Sequence, residues 1–197
     1  KLLIKELKKH PDDWTYNGTD AGKSIVIKQK AESEYLAWIR KDVLSVYAQK
    51  IKKAGGIDLQ VIGVGGRGHV AFHESGVPFR GSTVMLMKLD DNTIKNSVTD
   101  GHFISTKDCP NYAISMGAEL VYQARNVVLL ANGERKIESV ARSLLGEVTP
   151  EVPISYGQKY AENGGNLFYV LDKIAARDLL ANKGTLKKKK IEFEDLT

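Results

Sequence analysis

The sequence predicts an α/β fold, Rossmann-like, with a mainly parallel sheet and helices on both faces. Two observations predict it. Five short runs, residues 59–64, 84–87, 112–116, 127–131 and 167–171, are apolar almost throughout, as in strands buried on both sides. Stretches with helical spacing lie between several of them, the alternation expected of crossover units. A third observation places a site on that fold. The first run ends among glycines, and open α/β sheets bind ligands at the carboxyl ends of their strands.

In chain order, Leu2, Leu3, Ile4 and Leu7 have helical spacing, and the segment stops near Pro11, which cannot continue a helix. Residues 12–24 carry Asp12, Asp13, Asn17, Gly18, Asp20 and Gly22, turn formers that predict a loop. Over residues 32–54, Tyr35, Leu36, Ile39, Val43, Val46, Tyr47 and Ile51 recur at helical intervals. That spacing predicts one long amphipathic helix, closed by Gly55 and Gly56. Residues 59–64 form the first buried strand, and the runs at 84–87, 112–116 and 127–131 follow. Residues 134–145 then carry Ile137, Val140, Ala141, Leu144 and Leu145 on one helical face. The last strand, 167–171, precedes a basic tail. No repeat or linker divides the chain, so residues 1–197 read as a single domain.

Hydrophobic residues make up 42% of the chain and charged residues 27%, which excludes a disordered or collagen-like protein. No apolar run is long enough to span a bilayer, and Lys1 opens no stretch resembling a signal peptide. Cys109 is the single cysteine, so no internal disulfide framework or cysteine-cluster metal site is expected. A cytoplasmic setting follows as the expectation. The net charge of +5 is unevenly spread: residues 1–56 balance at +5, residues 57–182 at −2 and the last 15 at +2. A nucleic-acid module would interleave basic residues with aromatics on one surface. The run Lys187-Lys188-Lys189-Lys190 reads instead as a solvated tail. Neither a nucleic acid nor a membrane is an expected partner.

The most informative segment is residues 57–74, where a buried strand runs into Gly63, Gly65, Gly66 and Gly68. Glycines there let backbone amides approach an anionic or hydroxyl oxygen closely. Gly63, Gly65 and Gly68 also fit a dinucleotide fingerprint, but that motif needs a helix at once. Pro78 arrives quickly and helical character after Gly68 is weak, so no nucleotide cofactor is expected. Residues 17–24 approach a phosphate-binding loop, yet Gly18 is one residue too close to Gly22 and no strand is predicted before it. A flexible loop is the better reading. His69, His73 and Glu74 follow the glycines. A histidine beside a carboxylate is equipment for moving protons on and off a hydroxyl. The glycine context favours that role for His69, whereas His73 reads as a structural histidine. Arg67, a cation, should lower the pKa of His69, and Glu74 should raise it. The spacing of His69 and His73 would suit zinc on a helix, but this segment is not convincingly helical, and no metal is expected.

Residues 63–74, Gly-Val-Gly-Gly-Arg-Gly-His-Val-Ala-Phe-His-Glu, resemble the signature of the glucosamine-6-phosphate isomerase/deaminase family. That signature is a glycine-rich turn followed by Asp-Gly-His-Ile-Ala-Phe-Asn-Glu. The likeness continues through Leu89, Thr93 and Asn96, the strand at 112–117, the turn at 132–136 and the loop at 146–150, over roughly residues 43–172. The related 6-phosphogluconolactonases share the glycine–histidine turn but continue Thr-Ala-Ser-Leu-Phe-Pro, so residues 70–74 side with the isomerases.

The resemblance implies a Rossmann-like domain that converts glucosamine 6-phosphate, or a related hexosamine phosphate, into fructose 6-phosphate and ammonia. By resemblance His69 assists ring opening with Glu74, Lys136 binds the phosphate, and Gly63 lines the sugar. Gly65, Gly66 and Arg67 complete the expected substrate-binding set, no cofactor is implied, and a homo-oligomer is compatible with the family. Arg67 stands where the family has an acid, and Val98 where it has a phosphate-binding arginine. The family's N-terminal phosphate loop and its Asp-Glu-Tyr segment have no counterpart in residues 1–197, and Ser33-Glu34-Tyr35 lies in a predicted helix. These departures raise two alternatives, a non-catalytic sugar-phosphate-binding protein and a 6-phosphogluconolactonase-like hydrolase. The non-catalytic reading draws on Arg67, which could clamp an anionic group.

Overall fold

A computed structural model of the chain describes residues 1–196. Among them lie helices α1 (Leu2–Lys9), α2 (Glu34–Trp38), α3 (Val46–Lys53), α4 (Asp91–Thr99), α5 (Ala118–Val121), α6 (Ile137–Leu145), α7 (Gly157–Glu162), α8 (Arg177–Ala181) and α9 (Lys183–Lys188). The strands are β1 (Trp14–Asn17), β2 (Lys23–Ile27), β3 (Leu59–Ile62), β4 (Val84–Lys88), β5 (Tyr112–Met116), β6 (Asn126–Ala131) and β7 (Asn166–Leu171). Among the described residues no helix is long and apolar enough to cross a membrane.

The fold is α/β with a parallel sheet, but the strands divide between two sheets. β3, β6 and β7 form a parallel sheet in the order β3-β6-β7, with β6 central. Val61 pairs with Val128 and Val128 with Phe168 across it. The other four strands form an antiparallel sheet in the order β1-β2-β4-β5. The expectation of a mainly parallel sheet therefore holds for three strands and fails for β4 and β5. The physical reason lies in β4. Val84, Met85, Leu86 and Met87 are all buried, so the apolar run truly marks a strand covered on both faces. Coverage on both faces does not fix strand direction. Here Leu86 packs with Ile25, Ile27, Leu36 and Ile39 on one side, while Met85 and Met87 pack with Val77, Leu89 and Ile94 on the other.

The loop predicted at 12–24 is a second difference, because β1 and β2 pair as an antiparallel hairpin, Trp14 opposite Ile27 and Asn17 opposite Ser24. The turn formers are real, but they occupy only the connection between two strands. The helix predicted at 32–54 is present as α2 and α3 joined by a π-helical segment, Ile39–Ser45. Ser33 caps it, accepting from the Leu36 amide, which satisfies a donor the first turn leaves free.

The parallel sheet buries one face. Ile62, Val127, Leu129 and Ala131 pack with Ala118, Val121, Val140, Leu144 and Leu179 from the helices. On the opposite face Leu59, Val61, Leu130, Phe168 and Val170 are each about half exposed. The helices of the described chain thus cover one side of this sheet, where the sequence predicts cover on both.

Candidate functional site

The site grows from the carboxyl end of β3. After Val64 the chain turns through Gly65, Gly66 and Gly68, closed by a hydrogen bond from the Gly68 amide to the Gly65 carbonyl at 2.9 Å. Gly68 sits at φ +79 against Val152, a left-handed conformation that glycine adopts without a Cβ penalty. Gly65 is required for another reason: a Cβ there would collide with the His69 imidazole. The turn is therefore shaped around that ring. No helix follows between residues 69 and 83, so a dinucleotide fingerprint lacks the helix it needs.

Three of the expected residues converge there. His69 Nδ1 lies 3.6 Å from a Glu74 carboxylate oxygen. Lys136, entering α6 after β6, donates through Nζ to the Val64 carbonyl at 2.7 Å, beside the same turn. Burial holds the His69 pKa down to about 4, and the positive charges of Lys136 and Arg67 push it the same way. Burial, not the contest between Arg67 and Glu74, thus sets the sign. Burial also pushes the Glu74 carboxyl up, against hydrogen bonds from Thr93 and the Asp90 amide, and lowers the Lys136 ammonium. The imidazole is therefore neutral at pH 7, with Nδ1 the ring nitrogen that faces Glu74.

Arg67 differs from its expected setting. Its guanidinium bridges two carboxylates, Asp90 at 2.7 Å and Asp20. Asp90 is buried and caps α4, accepting from the Asn92 amide at 2.6 Å. Asp90 and Asp20 are site residues that sequence reasoning missed. Asp90 carried a usable signal, since an aspartate before the turn of an amphipathic segment is a preferred helix cap. Asp20 carried none, because only the β1–β2 pairing brings it near. A cavity of about 30 Å³ lies among Gly66, Arg67, His69, Glu74, Asp90 and Thr93.

Gly63 lies at the strand end with nothing within 4 Å of a notional Cβ, and Gly66 approaches only the Arg135 carbonyl, at 3.9 Å. Both leave open backbone at the mouth. His73 is outside the site. It is fully buried, with Nε2 2.9 Å from the Val77 carbonyl and Nδ1 accepting from the Ala118 amide at 2.9 Å, the bonding of a neutral structural histidine. A larger cleft, about 350 Å³, lies by β2, β4 and the π-helical segment and is lined by Arg40, Leu44 and Arg80. It contains neither His69 nor Glu74, which line the smaller cavity. Among the described residues no cluster of three or more His, Cys, Asp or Glu could hold a metal ion.

The chain is similar in sequence to known proteins. The chain is 38% identical over 133 residues, 68% of its length, to a glucosamine-6-phosphate deaminase of Clostridium acetobutylicum. It is 38% identical over 130 residues to one of Rhodopirellula baltica, and 36% identical over 133 residues to one of Clostridium botulinum. It covers 52%, 49% and 52% of those proteins respectively, so it spans about half the length of the curated relatives it matches. No protein-family model matches the chain. Among solved structures, a monomeric glucosamine-6-phosphate deaminase superposes with a TM-score of 0.63 at 19% identity, over 89% of this chain and 80% of that one. That likeness is one of fold.

Proposed function

We propose that this chain, a homologue of the glucosamine-6-phosphate deaminases, binds a hexosamine 6-phosphate at the β3 turn and catalyses its isomerisation and deamination. The supporting observation is the His69–Glu74 pair, 3.6 Å apart, on a glycine turn that a side chain would obstruct. In ring opening, Nε2 of the neutral His69 takes the proton of the C1 hydroxyl as the bond from C1 to the ring oxygen breaks. The ring oxygen then takes a proton, and the imidazole can return one. A pKa near 4 keeps His69 in the accepting form at neutral pH. Glu74, the carboxylate facing Nδ1, draws the ring proton to that side, which leaves Nε2 to accept. Gly63, Gly65 and Gly66 offer open backbone to the sugar hydroxyls, and Lys136 supplies a mobile cation suited to a phosphate. The Rossmann-like description of the domain rests on the parallel β3-β6-β7 layer with this turn at a strand's carboxyl end.

A second reading, a non-catalytic sugar-phosphate binder, is favoured by Arg67, a cation paired to Asp20 and Asp90 where the family places an acid. Calorimetric titration with glucosamine 6-phosphate tests the binding shared by both readings. Lys136→Ala should weaken it by about 1.5–3 kcal/mol, the loss of one charge-assisted contact. Unchanged affinity would put the phosphate elsewhere.

A further inference from the structure

The connection between β1 and β2 is built onto the site rather than lying free. The Thr19 amide donates to the Gly76 carbonyl at 3.1 Å, and its hydroxyl lies 3.5 Å from the same oxygen. Three glycines make the contact possible. Gly18 sits at φ +135 with a notional Cβ 3.2 Å from Val77, and Gly76 at φ +80 faces Thr19. A Cβ on Gly22 would meet the Glu74 side chain at 2.5 Å. Residues 17–22 therefore lie against residues 74–77, the segment that carries the site carboxylate.

At its tip this connection presents Asp20 to Arg67, the cation nearest the small cavity. The two carboxylates on Arg67 are not equivalent. The Asp90 side chain is 5% exposed and fixed as a helix cap, whereas that of Asp20 is 28% exposed on a hairpin tip. The cavity beside them, about 30 Å³, has room for about one water molecule. A hexosamine phosphate needs several times that space to be enclosed, and movement of the lining would supply it. Asp90 is locked by burial, whereas Asp20, which accepts from the Ala21 amide at 2.7 Å within its own turn, can move with that turn.

We propose that residues 17–22 form a lid on the sugar-phosphate site, latched by Asp20, whose carboxylate occupies Arg67 in place of the ligand's anionic group. The inference rests on the sugar-phosphate reading and adds how access to that site is controlled. An incoming phosphate and Asp20 compete for one guanidinium, and partly exposed ion pairs are weak enough to exchange. Arg67 then swings with the ligand while Asp90 remains its anchor. The near-match to a phosphate-binding loop at residues 17–24 thus has a role other than the one its glycines suggest, since it carries an anion and not an anion site.

The test compares the full chain with Asp20→Asn, which keeps size and removes charge. Without ligand, amide exchange at residues 18–22 should be faster in the variant. Glucosamine 6-phosphate should bind the variant about two- to fivefold more tightly, the equilibrium worth of an exposed ion pair. It should also speed exchange at those amides in the parent. Equal or weaker binding by the variant, or slower exchange in the parent on binding, would overturn the lid. Unchanged ligand-free exchange in the variant would overturn the latch. Absence of binding by both proteins, with the exchange difference present, would instead overturn the sugar-phosphate reading and leave Asp20 holding a closed turn.

Discussion

At the scale of single residues, burial outweighs pairwise charge. Asp90 favours the charged form of His69, yet its pKa falls to about 4 because the ring is desolvated and faces Lys136 and Arg67. This has a consequence for stability. The unfolded chain binds a proton on this histidine near its ordinary value of about 6.5, and the folded chain resists it until about pH 4. His69 therefore costs nothing above pH 6.5, and the fold loses stability as pH falls through that window. The loss reaches about 3 kcal/mol at most by the size of the shift. His73, also lowered by burial, acts in the same direction, while Glu74, raised by burial, acts in the opposite one. Thermal melts from pH 7 to pH 4 should show a shallower decline for His69→Gln than for the parent. An identical slope would mean that His69 is not the desolvated group described. The place of this residue at the glycine turn was legible in the sequence, since it directly follows the clustered glycines. Its partners were only half legible. Glu74 lies close in sequence, whereas Asp20 lies 47 residues from Arg67 and meets it through a hairpin.

At the scale of elements, apolar runs located the strands well and their neighbours poorly. β5 matches its predicted span, and β6 and β7 each gain one residue at the start, because burial writes itself directly into composition. Direction and sheet membership depend on pairing, which composition does not record, so β4 and β5 were assigned to the wrong sheet. The β1–β2 hairpin was missed for a related reason. Ile25 is buried against Leu7, Leu36 and Leu86 of α1, α2 and β4 rather than by local pattern, while the turn formers between the strands dominate the segment. The central strand β6 also shows how far apolar character and burial diverge. Leu129 is fully buried between helices and sheet, and Phe168 on adjacent β7 is 56% exposed. Leu129→Ala should cost about 2–5 kcal/mol, and Phe168→Ser less than about 0.5 kcal/mol. Denaturant unfolding of the two variants measures both. A large loss at Phe168 would show that the outer face of the parallel sheet is covered in solution.

At the scale of the whole molecule, two sheets meet over one small site. The parallel sheet contributes the glycine turn, His69 and Lys136. The antiparallel sheet contributes Asp20 from its hairpin and Asp90 beyond β4. His69 and Glu74 line a cavity whose cation, Arg67, is held by the chain's own carboxylates, and Lys136 reaches the same glycine turn through the Val64 carbonyl. Arg67 stands where the resemblance places an acid two residues before the histidine, so the proposed function assigns proton transfer to His69 and Glu74. The most direct measurement of the account is ammonia release from glucosamine 6-phosphate by the purified chain, beside His69→Gln. The account predicts release by the parent and a loss of about 10²–10⁴ in rate in the variant, the usual effect of removing a positioned acid–base group, with melting temperature at pH 7 nearly unchanged. Release that survives in the variant, or a parent that binds the sugar phosphate without releasing ammonia, would contradict it.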